Sequence, residues 1–261
     1  MSDRVMGTLK REGVDSKLAA LPGTDLRTGM PAGPAPSHAQ FVRQFGLQRG
    51  PEAGRNALSS RPQPLWRTIE WVISLAVLLL ASPLLLFIAL VIKLDTPGPA
   101  LFFQLRARKD GRPFKFVKFR TMYADARQRF PELYAYKYDD VDKIAFKVRD
   151  DPRRTPLGRL LRRTTIDELP NFWNVLTGDM ALVGPRPEIL EMLPYYKGDD
   201  LLKFKVKPGV TGLAQTYSRG NLMFRETVDL DVKYVRERSL VLDVSILLRT
   251  LLMVVASRGA F

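Results

Sequence analysis

The feature that most constrains this chain is an uncharged apolar run from Trp71 to Ile92. The run is about as long as the roughly 20 residues that a helix needs to cross a bilayer. It begins too far from the N-terminus for a cleaved signal peptide, and no small-residue cleavage site follows it. We therefore expect a membrane helix at about 67–94 that stays in the mature protein.

Ser82 and Pro83 interrupt the middle of this run. Proline removes one backbone hydrogen bond and kinks a helix, and the Ser82 hydroxyl can satisfy part of the freed backbone. Basic residues lie on both flanks, and on the C-terminal side they are Arg106, Arg108, Lys109, Arg112, Lys115, Lys118 and Arg120. Positive charge on both flanks favours a helix that enters and leaves on the cytoplasmic face. The prediction is a Pro-broken re-entrant helix, with a spanning helix as the alternative.

Residues 1–64 mix Gly, Pro, Ala, Ser and Arg without sustained periodicity, which predicts a disordered polar tail. A tether to a lipid surface through the scattered arginines is the alternative for this tail. The rest of the chain, 65–261, is long enough for one domain. The formal net charge of +14 indicates partners that carry negative charge: nucleic acid, anionic lipid or phosphorylated substrates.

The pattern after the membrane segment predicts a mainly α fold with one small β-hairpin, an α+β class. Two β-prone runs, Leu101 to Ala107 and Pro113 to Phe119, are joined through an Asp-Gly turn, a strong hairpin signal. Helices are predicted at 156–163, 168–176, 189–196, 225–236 and 240–255. The last of these keeps Asp243 and Arg249, so we expect an interfacial or packed amphipathic helix and not a second span.

The residue types restrict the chemistry. The chain has no cysteine, and its one histidine, His38, lies in the tail. Disulfides, thiolate nucleophiles and cysteine-ligated zinc are therefore excluded, and reactions in the folded part must use carboxylates, hydroxyls, Lys, Arg or Tyr.

The stretch 162–171 is the most informative, because it places two arginines beside Asp167 and Glu168. One interpretation is a capping box in which Thr165 and Glu168 cap a helix. The other is a phosphate site at a helix N-terminus, where guanidinium groups and backbone N–H groups bind the anion. Adjacent acids on a helix point about 100° apart, so one can face a phosphorus while the other holds Mg²⁺.

Two further motifs could bind phosphate, and a third predicts only a loop. The run 178–188 ends in a Gly-Pro-Arg-Pro turn that directs Arg186 outward, and its alternative is a rigid surface loop. The run 118–122, Lys-Phe-Arg-Thr-Met, is either a site or a basic face, and 208–215 is turn-rich. The Walker-type glycine loop and the Rossmann fingerprint are both missing from the sequence.

These motifs, in this order behind a Ser-Pro-broken apolar segment, resemble the bacterial sugar transferase family, the monotopic polyprenyl-phosphate phosphoglycosyl transferases. The resemblance covers Trp66 to Phe261 and is to the short, exopolysaccharide-type members. It implies a re-entrant membrane helix and a helical catalytic domain on the cytoplasmic face of the bacterial inner membrane. Nucleic acid is not an expected partner of this family.

The resemblance also implies a ping-pong reaction with Mg²⁺. Asp167 matches the nucleophile, which takes a phosphosugar from a nucleotide diphosphate sugar and passes it to undecaprenyl phosphate, and Glu168 matches the Mg²⁺-associated acid. UDP-glucose or UDP-galactose is the donor expected by analogy, and other polysaccharide-assembly enzymes are possible partners. The residues expected to bind substrate phosphate or nucleotide are Arg162, Arg186, Arg219, Pro185, Lys118 and Arg120.

Two other classes of function remain open at this stage. The high charge also suits a membrane-tethered, non-enzymatic binder of nucleic acid or anionic lipid, and Phe114, Phe116 and Phe119 between lysines fit that pattern. Such a binder leaves the Asp-Glu pair unexplained. A phosphatase or pyrophosphatase that acts on polyprenyl phosphates, with water as the acceptor, is the second alternative.

Overall fold

The computed structural model describes residues 24–25, 30–31, 63–136, 138–143, 150–217 and 222–255. Two short strands, β1 (Thr24–Asp25) and β2 (Met30–Pro31), form an antiparallel pair. Otherwise the predicted disordered tail, 1–64, lies outside the described residues up to the start of the first helix at Gln63.

The apolar run forms helix α1 (Gln63–Asp95), which is 33 residues long. Among the described residues it is the one helix long and apolar enough to cross a membrane. The helix continues through Pro83, which cannot donate to the Leu79 carbonyl one turn earlier. The Ser82 Oγ donates to that carbonyl at 2.7 Å, the bond expected of it from the sequence. The predicted break at Ser82 and Pro83 is therefore wrong: α1 is one continuous helix, in which the Ser82 side chain replaces the missing backbone bond.

Five strands follow β1 and β2: β3 (Leu101–Ala107), β4 (Pro113–Phe119), β5 (Ala181–Val183), β6 (Glu188–Ile189) and β7 (Gly209–Thr211). The predicted hairpin is confirmed with its bounds, since β3 pairs antiparallel with β4. Asp110 and Gly111 both adopt positive φ, as an Asp-Gly turn allows. The pairing of β6 with β3 and the parallel pair β5–β7 were not predicted.

The remaining helices surround these strands. They are α2 (Ala126–Arg129), α3 (Pro156–Thr164), α4 (Phe172–Leu176), α5 (Leu213–Tyr217), α6 (Phe224–Glu237) and α7 (Leu240–Val255). Short 3-10 helices lie at Lys109–Gly111, Pro131–Tyr134, Val141–Lys143, Ile166–Asn171, Leu190–Tyr195 and Gly198–Lys205. The predictions for α3, α6 and α7 are confirmed to within one residue.

Two predicted α-helices differ from the structure. The predicted helix 168–176 is a 3-10 helix followed by α4, and most of 189–196 is a 3-10 helix that begins after β6. Pro170 and Pro194 lie inside these 3-10 segments. Because proline cannot donate a backbone hydrogen bond, each interrupts the α pattern where the apolar periodicity alone predicts its continuation.

The domain core contains β4, β5 and the helices α4, α6 and α7. Tyr234 of α6 donates from its hydroxyl to Asp243 of α7 at 2.8 Å and to the Val183 carbonyl of β5 at 3.1 Å. Asp243 is therefore one polar contact through which α7 packs on the domain, and the hydroxyls of Thr250 and Thr211, 2.7 Å apart, form another. The opposite side of α7 exposes apolar side chains, among them Leu248 and Leu251.

Candidate active site

Asp167 and Glu168 lie in the 3-10 helix Ile166–Asn171, directly after α3. The turn between the two elements is made by Thr165, which adopts the left-handed conformation with φ of 61° and whose N–H bonds to the Arg162 carbonyl. The Thr165 side chain makes no cap, so the capping-box interpretation is wrong. Positive φ is uncommon for a β-branched residue and concentrates at functional sites. Asp167 is only 5% exposed.

Arg186 forms an ion pair with Glu168, with 2.8 Å between Nη2 and Oε1. The turn that carries Arg186 is held by the neighbouring β7, because Gly209 donates its N–H to the carbonyl of the buried Pro185 at 2.9 Å. Gly184 packs so closely on Gly209 that a Cβ on either glycine would collide with the other's backbone. The Gly-Pro-Arg-Pro turn is therefore rigid, as predicted, and its arginine reaches the predicted acid pair.

Arg162 and Lys118 are also neighbours of the acids. Arg162 belongs to the last turn of α3 and donates from Nε to the Thr121 hydroxyl at 2.9 Å. Burial and the adjacent Arg162 together lower the pKa of Lys118 to about 7, against the opposite effect of Asp167. These opposing effects require the three groups to be neighbours.

The two acids have pKa values displaced in opposite directions. Burial raises the pKa of Asp167, against the effect of Lys118. Burial would also raise the pKa of Glu168, but Arg186 and Lys118 together hold it below its usual value. Adjacent carboxyl groups with different proton affinities are typical of sites in which the two perform different tasks.

Arg106 is a member of this site that the sequence analysis treated only as flanking charge. It lies on β3, with its guanidinium 4.2 Å from the Phe116 ring centre, and donates to the Pro187 carbonyl at 2.9 Å. Burial and the nearby Arg186 lower its pKa to about 10. The hairpin register was the available signal, because strand alternation places Arg106 and Lys118 on the same face.

These six residues form what we call the front cluster: Arg106, Lys118, Arg162, Asp167, Glu168 and Arg186. Four basic side chains here face two carboxyl groups, so the cluster has an excess of positive groups. It suits a substrate with a diphosphate group, which charged guanidinium and ammonium groups bind well.

Arg120 has a different place from the one predicted. Its guanidinium donates to the carbonyls of Ile92, Thr96 and Pro97, at and just beyond the C-terminal end of α1. The last carbonyls of a helix lack partners within the helix, and a cation there also interacts favourably with the helix dipole. The contacts described for Arg120 are those of a helix cap. Arg219, the other predicted nucleotide contact, lies outside the described residues.

The carboxyl groups of this site can be compared with the ligands that Mg²⁺ needs. In the part of the chain that the structure describes, no group of three or more His, Cys, Asp or Glu side chains could hold a metal. Mg²⁺ usually binds one or two carboxylates together with substrate phosphates and water. Glu168, the acid matched to Mg²⁺ by the resemblance, is one such carboxylate.

A second polar cluster adjoins the front cluster and was not predicted. Lys203 Nζ lies 3.1 Å from Glu188, 3.2 Å from Asp231 and 2.9 Å from the Tyr196 hydroxyl, which donates to Glu188 at 2.5 Å. Lys203 and Asp231 are 3% and 1% exposed. We call Glu188, Tyr196, Lys203 and Asp231 the rear cluster. Its first member directly follows Pro187, which Arg106 contacts.

Comparison with known proteins identifies the family of this chain. Residues 62–257 match the sequence model of a family described as bacterial sugar transferase. A UDP-glucose:undecaprenyl-phosphate glucose-1-phosphate transferase of Caulobacter vibrioides is 34% identical over 98% of this chain and 84% of its own length.

Other relatives are longer proteins. An enzyme of the same description from Escherichia coli is 37% identical over 81% of this chain and 43% of its own length. A galactosyl transferase of Streptococcus agalactiae is 44% identical over 62% of this chain and 36% of its own length. The chain thus spans less than half the length of these two curated relatives. Because the family match covers most of the chain, it belongs to the bacterial sugar transferase family.

Proposed function

We propose that this protein transfers a sugar 1-phosphate from a nucleotide diphosphate sugar, UDP-glucose or UDP-galactose, to undecaprenyl phosphate. The observation that carries the proposal is the front cluster, in which a buried acid pair is surrounded by basic side chains. The named activities of the Caulobacter and Escherichia relatives support the donor and the acceptor. The product would begin the membrane stage of exopolysaccharide or glycoconjugate synthesis, with other assembly enzymes acting next.

Asp167 is the proposed nucleophile. Its carboxylate attacks the sugar-proximal phosphorus, the bond from that phosphorus to the bridging oxygen breaks, and the nucleoside monophosphate leaves with the electron pair. The phosphosugar remains on Asp167 as an acyl phosphate. A phosphate oxygen of undecaprenyl phosphate then attacks the same phosphorus and releases the Asp167 carboxylate.

The basic residues stabilise the charge that develops in these steps. Lys118 and Arg162 lie beside Asp167, and Arg186 lies beside Glu168, so each can contact a phosphate oxygen of a substrate at the acid pair. Glu168 would hold Mg²⁺, which would neutralise part of the charge on the diphosphate.

The contacts of α1 support a re-entrant helix. At its N-terminal end, Arg67 donates to the Val175 carbonyl and Glu70 accepts from the Leu182 N–H at 3.0 Å. At its C-terminal end, Arg120 binds the Ile92 carbonyl and Ile92 itself is buried. Both ends therefore contact one domain, which can lie on only one face of a bilayer.

The middle of α1 is free to enter the membrane. Its exposed apolar side chains include Leu79, Leu80, Leu84, Leu86 and Phe87. Removing such side chains from water favours insertion by about 25 cal/mol for each Å² buried. With basic residues on both flanks, we place the domain on the cytoplasmic face of the inner membrane, where the polyprenol acceptor can reach Asp167 along the helix.

The test is the covalent intermediate. Detergent-solubilised protein is incubated with UDP-glucose or UDP-galactose and Mg²⁺ without lipid, and its intact mass is measured. We expect a gain of one phosphohexose in the native protein and in the surface control Asp179→Asn, and no gain in Asp167→Asn. Addition of undecaprenyl phosphate should discharge the adduct.

Three other outcomes would overturn the proposal. Absence of both the adduct and UMP release across a panel of nucleotide sugars would show that the protein is not a transferase of this kind. Release of free phosphosugar without lipid product would indicate a phosphatase. Tight, salt-sensitive and sequence-independent binding of polyanions, without turnover, would indicate a binding protein.

A further inference from the structure

The residue pair Arg120–Thr121 lies where three elements meet: the end of α1, the end of β4 and helix α3. Both residues are buried, and they follow Phe119, the last residue of β4. Arg120 caps α1 through the carbonyls of Ile92, Thr96 and Pro97, as described above. Its own N–H donates to the Ala100 carbonyl at 2.8 Å, so its backbone as well as its side chain is fixed to the segment that follows α1.

Thr121 is fixed to helix α3 at two points. Its carbonyl accepts from the N–H of Thr155, the N-cap of α3, at 3.2 Å. Gly158 packs directly on the same carbonyl, where a Cβ would lie 2.0 Å from the oxygen. One helical turn later, the Thr121 hydroxyl accepts from Arg162 Nε at 2.9 Å. Thr121 therefore sets both the position of α3 and the direction of the guanidinium near its end.

The contact with the Thr121 hydroxyl matters because no other hydrogen bond among the described residues holds the Arg162 side chain in place. Its hydrogen bond to Thr121 is the one that the described residues show for this side chain, and Asp167 acts on it as a neighbouring charge. An arginine side chain has several rotatable bonds, so a single bond at Nε determines where the two terminal nitrogens point. Those nitrogens are the groups available to a substrate phosphate.

We propose that Thr121 is a positioning residue for Arg162 and that Arg120 links Thr121 to the end of α1. The position of the C-terminal end of α1 and the orientation of the phosphate-binding Arg162 guanidinium are then coupled. This inference rests on the proposed transferase function. It predicts that the Thr121 hydroxyl affects turnover without contacting the substrate. It also predicts that weakening the attachment of the C-terminal end of α1 changes the orientation of Arg162.

The first experiment compares Thr121→Val, which keeps the shape and removes the acceptor, with Thr121→Ser, which keeps the acceptor. Steady-state UMP release is measured with UDP-glucose or UDP-galactose and undecaprenyl phosphate. Loss of a hydrogen bond to a charged group predicts a fall in kcat/KM of about 10- to 100-fold for Thr121→Val. Thr121→Ser should stay within about 3-fold of the native value, a difference smaller than one such bond.

The matched control is Thr164→Val on the same helix, whose hydroxyl donates to the Leu160 and Leu161 carbonyls and not to an arginine. It should leave kcat/KM unchanged. Native kcat/KM in Thr121→Val, or equal losses in the valine and serine variants, would overturn the inference while the adduct on Asp167 still upheld the transferase.

A double-mutant cycle covers the case in which Thr121→Val is also less stable. If the hydroxyl acts through the arginine, Thr121→Val should cause no further loss of kcat/KM in an Arg162→Met background. An equal additional loss in that background would show that Thr121 acts by another route.

The coupling to α1 is tested with Arg120→Met by hydrogen exchange and by rate. We expect faster amide exchange at the C-terminal end of α1 together with a loss of kcat/KM, and unchanged exchange there in Thr121→Val. Faster exchange together with native kcat/KM would show that the end of α1 is not coupled to Arg162. The proposed role of Thr121 would then rest on its own contact with Arg162.

Discussion

The front and rear clusters use the same kinds of side chain and differ in how completely those side chains are paired. In the front cluster four basic residues surround two acids, and only the Arg186–Glu168 contact is a direct ion pair among the described residues. In the rear cluster one ammonium contacts two carboxylates and a phenol, and the phenol donates to one of those carboxylates. Removing one partner from a buried, charge-matched cluster destabilises a fold, whereas unmatched positive groups attract an anion. We therefore expect front variants to change activity and rear variants to change stability.

The largest expected effect on activity is that of Asp167→Asn. Loss of the nucleophile should lower the initial rate of UMP release by at least about 1,000-fold, as removal of a covalent catalyst does. The thermal midpoint should change little, because Asn has nearly the same shape. A marked loss of stability with retained turnover would show that Asp167 of the front cluster serves the fold and not catalysis.

Lys203→Met should have the largest effect on stability. It leaves Glu188 and Asp231 buried without their cation, which costs about 3–5 kcal/mol of unfolding free energy. Chemical denaturation is the measurement, with Lys233→Met on the exposed side of α6 as the control. A stable Lys203→Met variant with no turnover would show that the rear cluster is needed for catalysis and not for stability.

Arg186→Met should shift the pH dependence of turnover. Arg186 is the strongest influence that lowers the pKa of Glu168, so its removal raises that pKa. The acid limb of the pH–rate profile should then move to higher pH, and kcat/KM should fall by roughly 10- to 100-fold from the lost charged contact. Arg108→Met, which breaks only the surface pair with Asp179, serves as the control. An acid limb that stays in place would show that Glu168 ionisation does not limit the rate.

Asp231→Asn should give the smallest effect, visible as a change in the pH dependence of stability. Burial raises the pKa of Asp231 to about 6, above the value of about 4 in an unfolded chain. A carboxyl group with a raised pKa contributes stability that is fully present below pH 4 and is lost as the pH rises through 6. Relative to the variant, native protein should therefore lose about 2 kcal/mol of unfolding free energy between pH 4 and pH 7. A difference in unfolding free energy between native protein and variant that stays constant from pH 4 to pH 7 would show that Asp231 is already ionised in the folded protein at pH 4.

The elements that the sequence predicted well are those with a local signal. The hairpin follows from strand alternation and the turn at Asp110–Gly111, and α7 follows from a long apolar periodicity. The acid pair and the Gly-Pro-Arg-Pro turn were found because each motif is contiguous. Their contact across 18 residues, between Glu168 and Arg186, could be inferred only from the family resemblance.

The features that were missed depend on conformation or on distant partners. The left-handed Thr165 cannot be read from its residue type, since Thr disfavours that conformation. Lys203 and Asp231 look like ordinary surface charges in a sequence, because their pairing depends on how α6 packs. Arg120 and Thr121 were read as part of a basic motif, whereas their partners lie 23 to 41 residues away.

The attachment of both ends of α1 to one domain has a consequence for how the protein reaches its membrane. A spanning helix requires a polar segment to be carried through hydrocarbon, at a cost of several kcal/mol for each charged side chain. The proposed re-entrant arrangement would instead place the apolar middle of α1 in the lipid with both of its ends on one side. In that arrangement the domain would fold in water first and insert the middle of α1 afterwards, with no charged group moved across the bilayer.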